Sequence, residues 1–327
     1  MNTRLQSAKD VVQRNVPWVI LIIQCIAFGI IADNFFTVRN LVNLLNQNAF
    51  VIVAALGVSL IMMSGSFDIS IGMQMSLIGV VSGWLLTLTT IPIPVIFLIA
   101  ILLGMALNMI NTIVAHKLNL SQFIVSVAAM NVFMGVSFTI SGGRVSDRLP
   151  EAVRFLGAGM VGQVPVPVIV AGVFFVIMSI FLTRTYWGRY IYALGGNTEA
   201  ARLAGINVLG VRMMIAGICG FFVALSSLML IGRLGTAQST LGPGTEFLVI
   251  TGVLVGGISL RGGEGKLHGV LAGIFIMAIF GNGMQMAGMG IYAQHIVRGG
   301  IMIAAIAFDF FQYRRRQRVQ GMRKKTS

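Results

Sequence analysis

The feature that most constrains this chain is a succession of apolar stretches too numerous to share one water-soluble core. They fall at residues 16–33, 49–63, 71–90, 93–115, 123–140, 164–184, 212–232, 246–260, 268–288 and 291–311. A helix needs about 20 mostly apolar residues to cross a bilayer. A chain of 327 residues therefore has room for about ten spans, short loops and little else. Only 10% of the residues are charged, against about 25% in soluble domains, so most of the surface faces something other than water. The expected fold class is an all-α integral membrane protein. A leading segment over 1–15 precedes a transmembrane body over 16–311, and a basic tail covers 312–327.

The net charge of +14 would suggest a nucleic-acid partner in a soluble protein. Here the basic residues sit between apolar runs and in the tail, not on a face with interleaved aromatics. They read as a topology signal, because cytoplasmic loops carry an excess of Lys and Arg, and no nucleic acid is expected. Ten spans put both ends on one side. That side collects 17 basic residues: Arg4, Lys9, Arg14, Lys117, Arg184, Arg189, Arg202, Arg212, Arg261, Lys266 and seven between Arg314 and Lys325. The other side holds 5: Arg39, Arg144, Arg148, Arg154 and Arg233. Both termini are therefore expected in the cytoplasm. The N-terminus has the charge of a signal peptide but no small-residue cleavage site, which predicts an uncleaved first helix. The outer loop 141–163 carries Arg144, Asp147, Arg148, Glu151 and Arg154. It is either a solvated loop or a docking surface for a soluble partner.

Catalytic chemistry is not expected. His116, His268 and His295 lack a His or Cys partner at ligand spacing, and Cys25 and Cys219 lie inside apolar runs, so neither a metal site nor a disulfide framework is predicted. The segment Gly262-Gly263-Glu264-Gly265-Lys266 resembles a phosphate loop, but Leu260 stands where the first Gly belongs and Leu267 where Ser or Thr holds magnesium. No ATP is expected there. The nine acids fall at span ends or in loops, Asp68 being the one drawn into the membrane. A proton-coupled carrier needs buried ionisable groups, and this pattern argues against one. Asp68 or Ser70 can cap the third helix, or with Phe67 face a pathway. Asn108, Asn111, Asn131, Asn282 and Gln285 enter the spans, with Gln47 and Asn48 at the mouth of the second run. They suit either interhelical hydrogen bonds or the passage of a neutral hydroxyl-bearing solute.

Two runs, 49–63 and 246–260, are short, and each is followed by a Gly/Ser-rich break: Ser64 to Gly72, and Gly256 to Gly265. Matched breaks suggest a structural repeat whose discontinuous helices line a pathway. The inside loop 184–212 holds a different signal. Asn197 or Thr198 can cap a helix that starts at Glu199 and ends at Gly205. Under two turns long, such a helix is not stable alone. It either inserts into a partner's groove or lies on the membrane as a connection.

Four stretches together resemble the sugar permeases of bacterial ABC importers, most closely the ribose-type branch. They are Asn34-Phe35-Phe36-Thr37 with Asn40-Leu41; Ser64 to Gly72; Gly188 to Asn197 with Glu199-Ala200-Ala201 and Gly205-Ile206; and Gly256 to Leu260 with Gly262-Gly263. The resemblance runs from about Asn34 to Asp309. It implies the ABC importer permease fold, with two related halves and broken helices, in the bacterial inner membrane. It also implies partners: a second permease copy or a related permease, cytoplasmic ATPase subunits that carry the ATP and magnesium, and a periplasmic sugar-binding protein. The cargo implied is a monosaccharide, whether pentose, hexose, deoxysugar or polyol. Glu199, Ala200, Ala201 and Gly205 match the coupling helix that meets the ATPase, although the longer consensus ending in Leu-Pro is missing. Phe67, Asp68, Ser70, Asn108, Asn131, Asn282 and Gln285 are the pathway residues this reading nominates. Ser66-Phe67 stand where the family's first break has Gly-Ile, so ribose itself does not carry over. The alternative is a stand-alone secondary sugar carrier.

Overall fold

The computed structural model describes residues 16–325 apart from Asp33 and Arg148; the 1–15 segment, with Arg4, Lys9 and Arg14, lies outside them. In chain order the elements are α1 (Val16–Ile31), α2 (Val38–Met63), α3 (Ile71–Leu88), α4 (Ile93–Lys117) and α5 (Gln122–Ser141). A loop helix α6 (Glu151–Ala158) and a two-residue hairpin of β1 (Met160–Val161) and β2 (Val164–Pro165) follow. Then come α7 (Val166–Arg184), α8 (Tyr186–Gly196), α9 (Thr198–Leu203), α10 (Val208–Leu234), α11 (Thr245–Val255), α12 (Leu267–Met286) and α13 (Ile291–Lys325). Each of the ten apolar runs is thus a helix. Seven are long and apolar enough to cross a membrane, and α1, α11 and the apolar part of α13 are shorter.

Burial sorts these helices into two shells. In α2, α3, α10 and α12 between 67% and 78% of the most apolar stretch is buried, whereas in α4, α5 and α7 it is 22%. The inner helices are fastened by hydroxyls as well as by packing. Ser226 on α10 donates to the Phe50 carbonyl of α2 at 2.7 Å, and Ser227 donates to the Met75 carbonyl of α3 at 2.6 Å. Gly104 of α4 and Gly220 of α10 face each other so closely that a β-carbon on either would meet the other's backbone. Lipid offers no hydrophobic drive between helices, so such close backbone contacts and shared hydrogen bonds are what hold a membrane bundle together.

Two expectations need correction. The second run is not a short span: α2 starts at Val38 and spans 26 residues. Its first half carries Asn40, Asn43, Asn46, Gln47 and Asn48, which hide the span from hydropathy while leaving the helix intact. The basic tail is not a separate segment either, because α13 continues without a break through residues 312–325. The two halves reach their breaks by different routes. After α10 the chain turns back along α3 in non-helical form: Ala237 bridges to Ser146, and the Gly242 amide donates to the Ser76 hydroxyl at 2.9 Å. Only then does the 11-residue α11 begin. It is a half-helix fed by irregular backbone buried in protein, the one setting in which such backbone is tolerated at membrane depth.

Candidate functional site

The two breaks do share one local device. At the end of α2 the Gly65 amide donates to Met62 and the Ser66 amide to Ile61; at the end of α11 the Gly257 amide donates to Leu254 and the Ile258 amide to Val253. Gly65 and Gly257 both have positive φ, 77° and 90°. This is the same left-handed helix stop in both places, and it turns both chains toward one point.

That point is a junction of glycine backbones. The Gly263 amide of the second break donates to the Met63 carbonyl at 2.8 Å. A β-carbon on Gly262 would lie 2.5 Å from the Gly65 α-carbon, and one on Gly263 would lie 2.7 Å from the Gly196 nitrogen. Gly195, in the last turn of α8, is wedged between them: a β-carbon there would collide with both the Met63 carbonyl oxygen and the Gly263 nitrogen. Tyr192, one turn earlier, donates its hydroxyl to the Gly265 carbonyl at 2.9 Å. The segment that resembled a phosphate loop is therefore a packed joint.

One residue beyond the joint, Asn197 caps α9 by accepting the Ala200 amide at 3.0 Å. Gly205, at φ 84°, ends it, with its amide donating to Arg202 and that of Ile206 to Ala201. Six residues long, α9 presents Glu199, Ala200 and Gly205 to the exterior, while Ala201 is buried against the core. Ala201 is thus the floor of the helix rather than part of its outer face. The outer face also carries two residues that the sequence reading passed over. Leu203 is 84% exposed, and Arg202 pairs with Glu199 at 2.7 Å. An exposed pair of this kind is worth less than about 1 kcal/mol, so another charge can displace it readily.

Asp68 is buried, and its carboxylate fastens the first break. It accepts the Ser70 amide at 2.8 Å, the Ser70 hydroxyl at 2.6 Å and the Asn111 side chain at 3.3 Å. Gln74 donates to the Ser70 hydroxyl, and Asn108 donates to Gln74. The Ile69 amide donates to the Ser126 hydroxyl. Asp68, Ser70 and Asn108 thus form one network joining the start of α3 to α4 and α5. Within it Asp68 closes a turn onto Ser70, while the Ser70 side chain makes no cap bond to α3. Phe67 packs against Phe123 of α5 with the rings tilted, ring centres 5.8 Å apart. Asn131 stands apart from all of these, exposed and bonded to the Val127 carbonyl of its own helix. A second acid corrects the expectation that only Asp68 enters the bundle. Glu246 is 4% exposed, and one carboxylate oxygen takes the Gly244 amide while the other lies over Gly72 without a hydrogen-bond partner.

Asn282 and Gln285 lie elsewhere. They line a cavity of about 100 Å³ with Gln47 and Asn48 of α2 and Gln294 and Arg298 of α13. Along α2, Asn48 is fifteen residues from Met63, so the cavity sits roughly 20 Å from the glycine junction. Its rim is fixed by a reciprocal amide pair, in which Asn40 and Asn282 each donate to the other at 3.1 and 3.0 Å. Thr37 caps α2 from the same motif, and Phe35 is buried under it. Among the described residues no group of three or more His, Cys, Asp or Glu side chains is placed to hold a metal ion.

The junction, the network and the cavity all fall within residues 40–306, which match a family model described as the permease component of the branched-chain amino acid transport system. The ribose import permease of Escherichia coli K12 is 32% identical over 283 residues, covering 85% of this chain and 88% of that protein. The ribose import permease of Bacillus subtilis 168 is 33% identical over 305 residues, covering 91% and 93%. The galactose/methyl galactoside import permease of Salmonella typhimurium is 30% identical over 301 residues, covering 86% and 90%. No solved structure matches the chain. A ten-helix bundle with broken helices, matched by the model over most of its length and by these relatives over more than four fifths of it, settles the assignment: the chain belongs to this family of membrane-spanning transport permeases, within its ribose-type sugar branch.

Proposed function

We propose that this chain is the membrane subunit of an ATP-driven monosaccharide importer in the bacterial inner membrane. It works with a second permease, with cytoplasmic ATPase subunits that bind ATP and magnesium, and with a periplasmic sugar-binding protein. No catalytic step falls to the chain itself. The relatives named for ribose and for galactose support a pentose or hexose cargo, with deoxysugars and polyols close enough in chemistry to be tested beside them.

The observation that carries this reading is the attachment of α9 to the glycine junction. A six-residue helix projects Glu199, Arg202 and Leu203 outward while its stem, α8, is wedged between both breaks. A push on α9 reaches two inner helices, α2 and α11, through backbone contacts with no flexible side chain between. The 17-to-5 distribution of basic residues supports placing this end, and both termini, in the cytoplasm. Ala201 then anchors α9, and Glu199, Ala200 and Gly205 with Leu203 form the face offered to the ATPase.

Glu199→Lys tests it. The change breaks the Glu199–Arg202 pair and puts a cation at a helix N-terminus, where the dipole disfavours it. In the complete transporter, labelled-sugar uptake falls at least tenfold while the permease still inserts. Unchanged uptake removes α9 from the coupling role. The buried Asp68 and Glu246 are the ionisable groups that a stand-alone carrier driven by a proton gradient would need, but the ribose and galactose import permeases among the relatives do not favour that reading. Uptake by the permease alone in vesicles, without any ATPase, would establish that reading in place of the first.

A further inference from the structure

We propose that the cavity between α2, α12 and α13 is a solute site, with Arg298 as its anchoring donor and Gln47 and Gln285 as its selecting amides. This rests on the import reading above and names where, far from the driven end, the sugar is held.

Arg298 lies in the apolar part of α13. Its guanidinium rests against α12 over Gly281, where a β-carbon would come within 3.2 Å of it. The Nε is buried without a hydrogen-bond partner, and no described carboxylate pairs with the group. A cation kept unpaired in a membrane bundle is costly and is the usual mark of a substrate path. Two more polar heads meet it across the cavity. The side chains of Gln47 and Gln285 make no hydrogen bond among the described residues. The other three polar walls are already engaged: Asn282 with Asn40, Asn48 with the Leu44 carbonyl and Gln294 with the Met289 carbonyl. A buried guanidinium nitrogen without a partner and two exposed amides, from three helices, thus line one space inside a hydrogen-bonded rim.

Their chemistry selects a class. A guanidinium presents several donors in a planar fork, which spans two neighbouring hydroxyl oxygens. Each carboxamide both donates and accepts, as a hydroxyl does. A neutral polyhydroxylated solute satisfies all three heads.

The test is uptake per ATP hydrolysed by the complete transporter in proteoliposomes, with its binding protein and a panel of labelled pentoses, hexoses, deoxysugars and polyols. For the solute that the wild type takes up, Arg298→Ala lowers the ratio of solute moved to ATP hydrolysed at least tenfold, and Arg298→Lys restores part of it. Gln285→Ala, which leaves the charge in place, lowers the ratio several-fold and serves if the arginine variant fails to assemble. An unchanged ratio in both variants overturns the site, whether or not turnover slows, because a merely structural role slows transport and hydrolysis together. If the wild type moves no solute on the panel, the sugar reading itself fails and takes this inference with it.

Discussion

The two ends of this bundle are built on opposite principles. At the α9 end, Gly65, Gly195, Gly262 and Gly263 close backbone against backbone, and the carboxylate of the neighbouring Asp68 is hydrogen-bonded by Ser70 and Asn111. Roughly 20 Å along α2, the cavity keeps open space, the buried Arg298 Nε without a partner and the exposed amides of Gln47 and Gln285. Dense packing transmits displacement because it has few alternative arrangements. Unsatisfied polar groups destabilise the empty state and so favour a ligand that satisfies them. One end is suited to be moved and the other to hold something.

If that contrast is right, substitutions should separate along it. The largest effect falls at Gly195→Val, which drives a branched side chain into the Met63 carbonyl and the Gly263 amide. Overpacking of this kind costs about 3 kcal/mol, and thermal unfolding in detergent followed by Trp187 fluorescence should show it, together with loss of uptake. Asp68→Ala comes next. It strands the Ser70 amide and hydroxyl and the Asn111 amide, for a loss of about 1–3 kcal/mol in the same measurement. At the rim of the cavity, Asn282→Leu breaks the reciprocal pair with Asn40 and should cost about 1 kcal/mol, typical of an interhelical bond in a membrane. Smallest of all, Gln285→Leu removes a side chain that makes no hydrogen bond among the described residues. Its unfolding should shift by less than about 0.5 kcal/mol, although transport suffers. If Gln285→Leu destabilised as much as Asp68→Ala, the cavity would be ordinary polar core and the contrast would dissolve.

Much of the fold was legible because the signal is local. Ten apolar runs became ten helices, and Asn197 and Gly205 bounded α9 as their types require. Hydropathy misplaced α2 by eleven residues because five amide side chains between Asn40 and Asn48 lower the apolar score without breaking the helix. The half-helix α11 showed only as a short run, since nothing in residues 235–244 announces that they re-enter the bundle along α3. The junction was quoted residue by residue as a resemblance, yet its cause could not be read. Gly195 is required by two chain segments some 70 and 130 residues away, a constraint without periodicity. Arg298 was passed over for a related reason. Counting charges by loop sets aside a cation within a span, and only the arrangement of α2, α12 and α13 reveals that no carboxylate among the described residues pairs with it. Glu246 shows the converse error: its position next to a loop read as solvent, while the inward-turning segment before it buries the carboxylate.

The central claim is that α9 and the second break move as one body against the far end. Paired spin labels on the complete transporter test it directly, with one pair at Leu203→Cys and Lys266→Cys and another at Lys266→Cys and Tyr292→Cys, all exposed positions. Between the nucleotide-free and ATP-trapped states, the 203–266 distance should stay the same while the 266–292 distance changes. A 203–266 distance that changes while 266–292 stays fixed would mean that α9 moves without the junction, and would contradict the account.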